Sequence, residues 1–167
     1  EDSLKLDLRS AYPTKALRKL ERTFVFRRGA APSLSVTDDV AFETPGNFET
    51  ALVTWGDWKR DGADAIVITD GGKSLRVEIA TGGVPFEVMA ETLDEDVRTP
   101  KKPVRLGIAL KEPMASGKVT LRISPSLQKG TRYQPTCVSA VASANEPKRV
   151  GKFRIDPGQK FYHTRMW

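Results

Sequence analysis

One cysteine, one histidine and no long apolar run set the first limits on this chain. With Cys137 alone there is neither an internal disulfide nor a thiolate cluster, and with His163 alone there is no histidine set, so no metal site is expected. No stretch approaches the roughly 20 apolar residues that cross a bilayer as a helix, and no membrane partner is expected. The opening residues, Glu1-Asp-Ser-Leu-Lys5, lack the pattern of a secretory signal, and the missing initial methionine suggests a processed chain or an excised fragment. No serine sits in a G-x-S-x-G elbow. Neither Gly71-Gly72 nor Gly82-Gly83 opens a helix or carries the phosphate-loop lysine, so both pairs read as turns. The sequence calls for no cofactor.

What is present suits one principal core, since 167 residues with 39% hydrophobic content are short for two full domains. The net charge of +6 is unevenly placed. Eight of the 27 basic residues lie from Pro125 onward, against only Glu146 and Asp156 of the 21 acidic ones. Residues 1–124 are therefore balanced, with 19 of each sign, and the basic character belongs to the last quarter of the chain. No field argument makes nucleic acid a partner of the body, and none is expected there.

Period-two alternation runs through that body. Leu4, Leu6 and Leu8 alternate with Lys5, Asp7 and Arg9, and a single helical turn is expected over Thr14 to Lys19. Leu20 to Phe26 and Leu34 to Phe42 are alternating segments joined by Arg28-Gly-Ala-Ala-Pro32, a connection with turn chemistry, and Thr44-Pro-Gly-Asn47 has the residues of a further turn. A hairpin centred on Ala30 sets Leu20 against Val40, Phe24 against Val36 and Phe26 against Leu34. It also sets Arg22 against Asp38 on the inward face, where the two charges satisfy each other as a structural ion pair. The alternative is a bulge that turns Asp38 to solvent.

Phe48 to Trp55 is a weaker strand, and Gly56 to Gly62 reads as a polar loop. Asp64 to Ala80 is the clearest hairpin: a primed turn at Gly71-Gly72 pairs Asp70 with Lys73, Ile68 with Leu75 and Ile66 with Val77. Alternation resumes over Val84 to Ala90, Val104 to Leu110 and Val119 to Ile123. An acidic connection from Glu91 to Asp96 and a loop from Pro113 to Gly117 separate these segments. About nine short strands without an amphipathic helix predict an all-β, antiparallel β-sandwich over residues 1–124. Residues 125–167 lack a period and are expected to be an irregular basic extension, with one further strand over Val150 to Ile155.

The order Leu6-Asp-Leu-Arg-Ser-Ala-Tyr-Pro13, Glu21-Arg-Thr-Phe-Val-Phe26 and Leu34-Ser-Val-Thr-Asp38 resembles the β-sheet region of heparinase II/III-like polysaccharide lyases. The similarity continues loosely to Ile123-Ser-Pro125 and covers about three quarters of the chain. It implies a helical toroid N-terminal to the sheets in the same parent chain, a periplasmic or extracellular location, and substrate bound where the two parts meet. Such enzymes cleave uronate-containing chains, glycosaminoglycans among them, by β-elimination: a Tyr or His removes the proton α to the carboxylate and polar groups hold the developing charge. The catalytic tyrosine belongs to the helical part, and the "HN" segment of the sheet region would precede Leu4. The expected role is thus a noncatalytic sheet region supporting a substrate cleft, without lyase activity of its own.

Two further readings stand beside this one: a free-standing carbohydrate-binding module, and a protein or nucleic-acid contact through the basic extension. Trp55, Trp58, Lys59 and Arg60 are the candidate contacts for acidic polysaccharide, with an indole stacked on a sugar face and a cation on a uronate. The same tryptophans also suit a packing role at the open end of the sandwich. Tyr162 and His163 are adjacent, so on a strand they point to opposite faces, and they read as a surface pair rather than an acid and base.

Overall fold

The computed structural model describes residues 1–94 and 100–126. Among them are ten strands: β1 (Asp2–Asp7), β2 (Leu17–Arg27), β3 (Ser33–Gly46), β4 (Glu49–Thr54), β5 (Asp57–Arg60), β6 (Ala65–Asp70), β7 (Lys73–Ala80), β8 (Phe86–Thr92), β9 (Val104–Leu110) and β10 (Met114–Pro125). A single 3-10 turn, Arg9–Ala11, lies between β1 and β2. The strands form two antiparallel sheets, a larger one in the order β1-β2-β3-β10-β7-β6-β5 and a smaller one in the order β4-β9-β8. The molecule is an all-β antiparallel sandwich.

Alternation decides which side chains are buried. In β2 and β3, Leu20 lies opposite Val40, Phe24 opposite Val36, and Arg22 opposite Asp38. The glycine turn behaves as its chemistry requires: Gly71 and Gly72 both take positive φ, and Ile66 and Ile68 face Val77 and Leu75. Leu121 and Val119 of β10 and Ile79 of β7 continue the inner face of the larger sheet. Leu106, Ile108 and Leu110 of β9, with Phe48 just before β4, close the core from the smaller sheet. Each fully buried Leu or Ile stabilises the fold by about 1.5–3 kcal/mol over its exposed state.

Several local expectations are corrected. The segment expected as a loop from Gly56 to Gly62 contains β5, whose ladder with β6 sets Trp58 against Ile68. The turn expected at Thr44 to Asn47 is partly strand, because β3 continues to Gly46. Pro45 is tolerated there because the ladder to β10 jumps from the pair Ala41 and Ser116 to Gly46 and Met114, leaving no regular bond for it to make. In place of a helical turn over Thr14 to Lys19, β2 begins at Leu17, and β10 absorbs most of the loop expected from Pro113 to Gly117.

Leu4 and Leu6 alternate as a half-buried strand should, yet remain 55% and 36% exposed. They lie opposite Phe24 and Arg22 on the inner face of the larger sheet, but on its edge strand. Three strands cannot cover seven, and this margin stays open.

Candidate functional site

Arg22, from the middle of β2, points between the sheets. Its Nε and Nη2 donate to Oδ1 and Oδ2 of Asp38 at 2.6 and 2.8 Å, the bidentate geometry that makes charge-assisted bonds strong. Nη2 also donates to Thr50 Oγ1 at 3.0 Å, and Thr50 belongs to β4 of the other sheet. Asp38 is 1% exposed and Thr50 likewise. Burial works against the charge on Arg22, but the hydrogen bonds and the charge of Asp38 outweigh it and hold its pKa above the ordinary arginine value. The Tyr12 ring packs against the core. The Tyr12 hydroxyl is buried and has no hydrogen-bond partner among the described residues.

A second buried ion pair lies on the smaller sheet. Arg105 of β9 donates to Glu49 of β4, and both side chains are almost fully buried. Gly107 lies between them in the ladder. A Cβ added there would stand 2.8 Å from Glu49 Oε1 and 3.0 Å from Arg105 Nη1, so glycine leaves the space the pair occupies. Sequence alternation alone reads Arg105 as an ordinary outward charge and offers no signal for its burial.

The four candidate sugar contacts do not share a face. Trp58 and Arg60 point inward from β5, opposite Ile68 and Ile66, whereas Lys59 lies opposite Val67 on the outer face. Trp58 is half-buried against the core, and Trp55, beyond the end of β4, is 51% exposed. Between them Gly56 is packed so closely that an added Cβ would meet Ile68 Cγ2 and the Thr69 carbonyl oxygen at 2.8 Å. Its N–H donates to Thr54 Oγ1 at 2.9 Å, which fixes the crossing from one sheet to the other.

Of the four, Arg60 lines a cavity of about 600 Å³ that the other three do not line. The cavity lies where the end of β5 meets the crossover from β7 to β8, and Asp64, Ile79 and Phe86 also line it. The Arg60 guanidinium carbon is 5.5 Å from the centre of the Phe86 ring, and Nη1 donates to the Ala63 carbonyl at 3.4 Å. Gly82 and Gly83 take positive φ in the crossover, and Thr81 Oγ1 donates to the Val84 carbonyl at 2.6 Å, so this wall is a built turn. Sequence reading missed Phe86 and Asp64 as neighbours of Arg60 because only the strand order brings them together.

No group of three or more His, Cys, Asp and Glu suited to a metal occurs among the described residues. No described helix is long and apolar enough to cross a membrane. Cys137, Tyr162, His163 and the strand expected over Val150 to Ile155 lie outside the described residues, as does nearly all of the basic extension. No family model and no curated protein matches this chain.

Proposed function

We propose that the chain is the noncatalytic β-sandwich region of a larger polysaccharide lyase of the heparinase II/III-like kind, where it supports a cleft for uronate-containing chains beside a helical catalytic domain. The observation that carries this reading is the pair of Arg22 and Asp38 buried between the sheets, with Tyr12 packed on the same core. These residues come from the three ordered segments on which the resemblance rests, and the pair of Arg22 and Asp38 ties the two sheets together through Thr50. A shared framework requires residues of this kind to recur in order without any of them touching substrate. The one tyrosine among the described residues keeps its hydroxyl buried, out of reach of a polymer. On this reading the parent protein works in the periplasm or outside the cell.

Elimination from a uronate leaves an unsaturated sugar that absorbs in the near ultraviolet, so the test is direct. Purified chain incubated with acidic polysaccharides is expected to produce none. The reading frame that encodes the chain is expected to continue upstream into a helix-rich segment, and the longer protein to turn over. Steady turnover by this chain alone, or an inactive longer protein, overturns the proposal.

A carbohydrate-binding module is the second reading, and the Arg60 cavity favours it. An accessible cation beside an aromatic ring, in a depression of this volume, suits an acidic sugar.

A further inference from the structure

We propose that the Arg60 cavity is a noncatalytic binding site for one acidic sugar unit, held by its carboxylate on Arg60 and by its hydroxyls on Asp64. The proposal deepens the sugar-contact reading of this chain by giving it a position and a ligand chemistry.

Three features carry it. The first is that Arg60 has no carboxylate partner among the described residues; its described contacts are the Phe86 ring and the Ala63 carbonyl. The guanidinium carbon lies within cation–π reach of the ring, and the N–H groups not given to Ala63 remain to take a planar carboxylate in two parallel bonds. The second is that the Asp64 carboxylate also has no partner among the described residues, while its backbone carbonyl is held by the Ile79 N–H at 2.7 Å. The residue is anchored and its carboxylate is exposed, ready to accept from sugar hydroxyls. The third is the wall formed by the β7–β8 crossover, where Gly82 and Gly83 present backbone without side chains and let a ring approach closely.

Opposite charges in one depression narrow the ligand. A bare anion meets repulsion from Asp64, and a bare cation meets it from Arg60. A molecule with a carboxylate at one end and neutral donors at the other satisfies both, and a uronic acid has that form. A volume of about 600 Å³ accommodates a pyranose with its water.

The test is a titration of the full chain, followed by amide chemical shifts, with sodium glucuronate, glucose, glycine and inorganic phosphate as separate probes. Glucuronate is expected to move the amides of Thr81, Gly82, Gly83 and Phe86, and to bind about tenfold or more tightly than each other probe. Arg60→Gln should weaken glucuronate about tenfold or more, while Lys59→Gln, on the other face of the same strand, should leave it unchanged. Asp64→Asn should weaken glucuronate and glucose alike. Because Arg60 and Asp64 are both exposed, the variants should keep the dispersed spectrum of the folded chain, which is checked in the same experiment. Cavity amides that stay in place, shifts that survive Arg60→Gln, or equal binding of glycine or phosphate overturn the inference. Such a failure leaves the lyase-region reading standing, because that reading is tested by the parent reading frame and its turnover.

Discussion

Arg22 and Thr50 lie on different sheets, and the guanidinium of one donates to the hydroxyl of the other at 3.0 Å. Since the same guanidinium is held by both oxygens of Asp38, its position is set by the larger sheet before it reaches the smaller one. Removing the carboxylate leaves a largely buried cation unmatched. Asp38→Ala is expected to cost on the order of 3 kcal/mol in urea denaturation, and the double variant Arg22→Met/Asp38→Leu to recover most of the loss. Equal losses in the single and double variants would show that volume, not charge, dominates.

Tyr12→Phe should behave in the opposite way. A buried hydroxyl without a partner has lost its water and gained no bond, so its removal is expected to be neutral or to stabilise by up to about 1 kcal/mol. A loss above about 1 kcal/mol in the same assay would reveal a hydrogen bond made by that hydroxyl.

Gly107→Ala should destabilise the fold by about 1–3 kcal/mol, because the new methyl group meets Glu49 and Arg105 inside van der Waals contact. Shortening one neighbour relieves the clash, so the cost of Gly107→Ala should shrink in a Glu49→Ala background. A double-mutant cycle with additive energies would count against that geometry.

On the outer face of the larger sheet, Lys5, Glu21, Lys19, Asp39 and Lys118 form a chain of ion pairs across four strands. Hydrogen bonds from Lys5 and Lys19 lower the Glu21 pKa, so its contribution is present above the unfolded value and fades as pH falls through the folded one. Bonds to Glu21 and Asp39 raise the Lys19 pKa, so its contribution is present below the unfolded value and is lost as pH rises through the folded one. The stability difference between the native chain and Glu21→Gln should therefore narrow in acid. It should also narrow in strong salt, because the groups are accessible to solvent. A difference that is flat with pH would mean these pairs contribute nothing measurable.

The hairpins were the most legible part of the sequence, for a local reason. At Gly71-Gly72 and around Ala30, turn chemistry and alternation specify the same register, and Arg22 opposite Asp38 follows from it. In contrast, β5 is four residues, Asp57–Arg60, with glycines close on either side, and its strand character comes from its ladder with β6. The sequence also cannot say how far one sheet overhangs another, which is why Leu4 and Leu6 alternate as in a half-buried strand and yet lie open. The cavity was the least legible, since Arg60 meets Phe86 only after the chain has crossed between sheets.

The position of β10 has a consequence for biosynthesis. It is the last of the described strands to leave the ribosome, yet it lies in the middle of the larger sheet with β3 on one side and β7 on the other. Until it arrives, β1-β2-β3 and β7-β6-β5 are separate leaves, each ending in an unpaired edge open to other chains. Completion of the larger sheet therefore waits for β10, whose pairing closes a far longer loop than the hairpins do. A nascent chain stalled before Met114 would leave β3 and β7 as two further unpaired edges, both of which β10 covers in the finished sheet, making this stage of synthesis the one most exposed to aggregation.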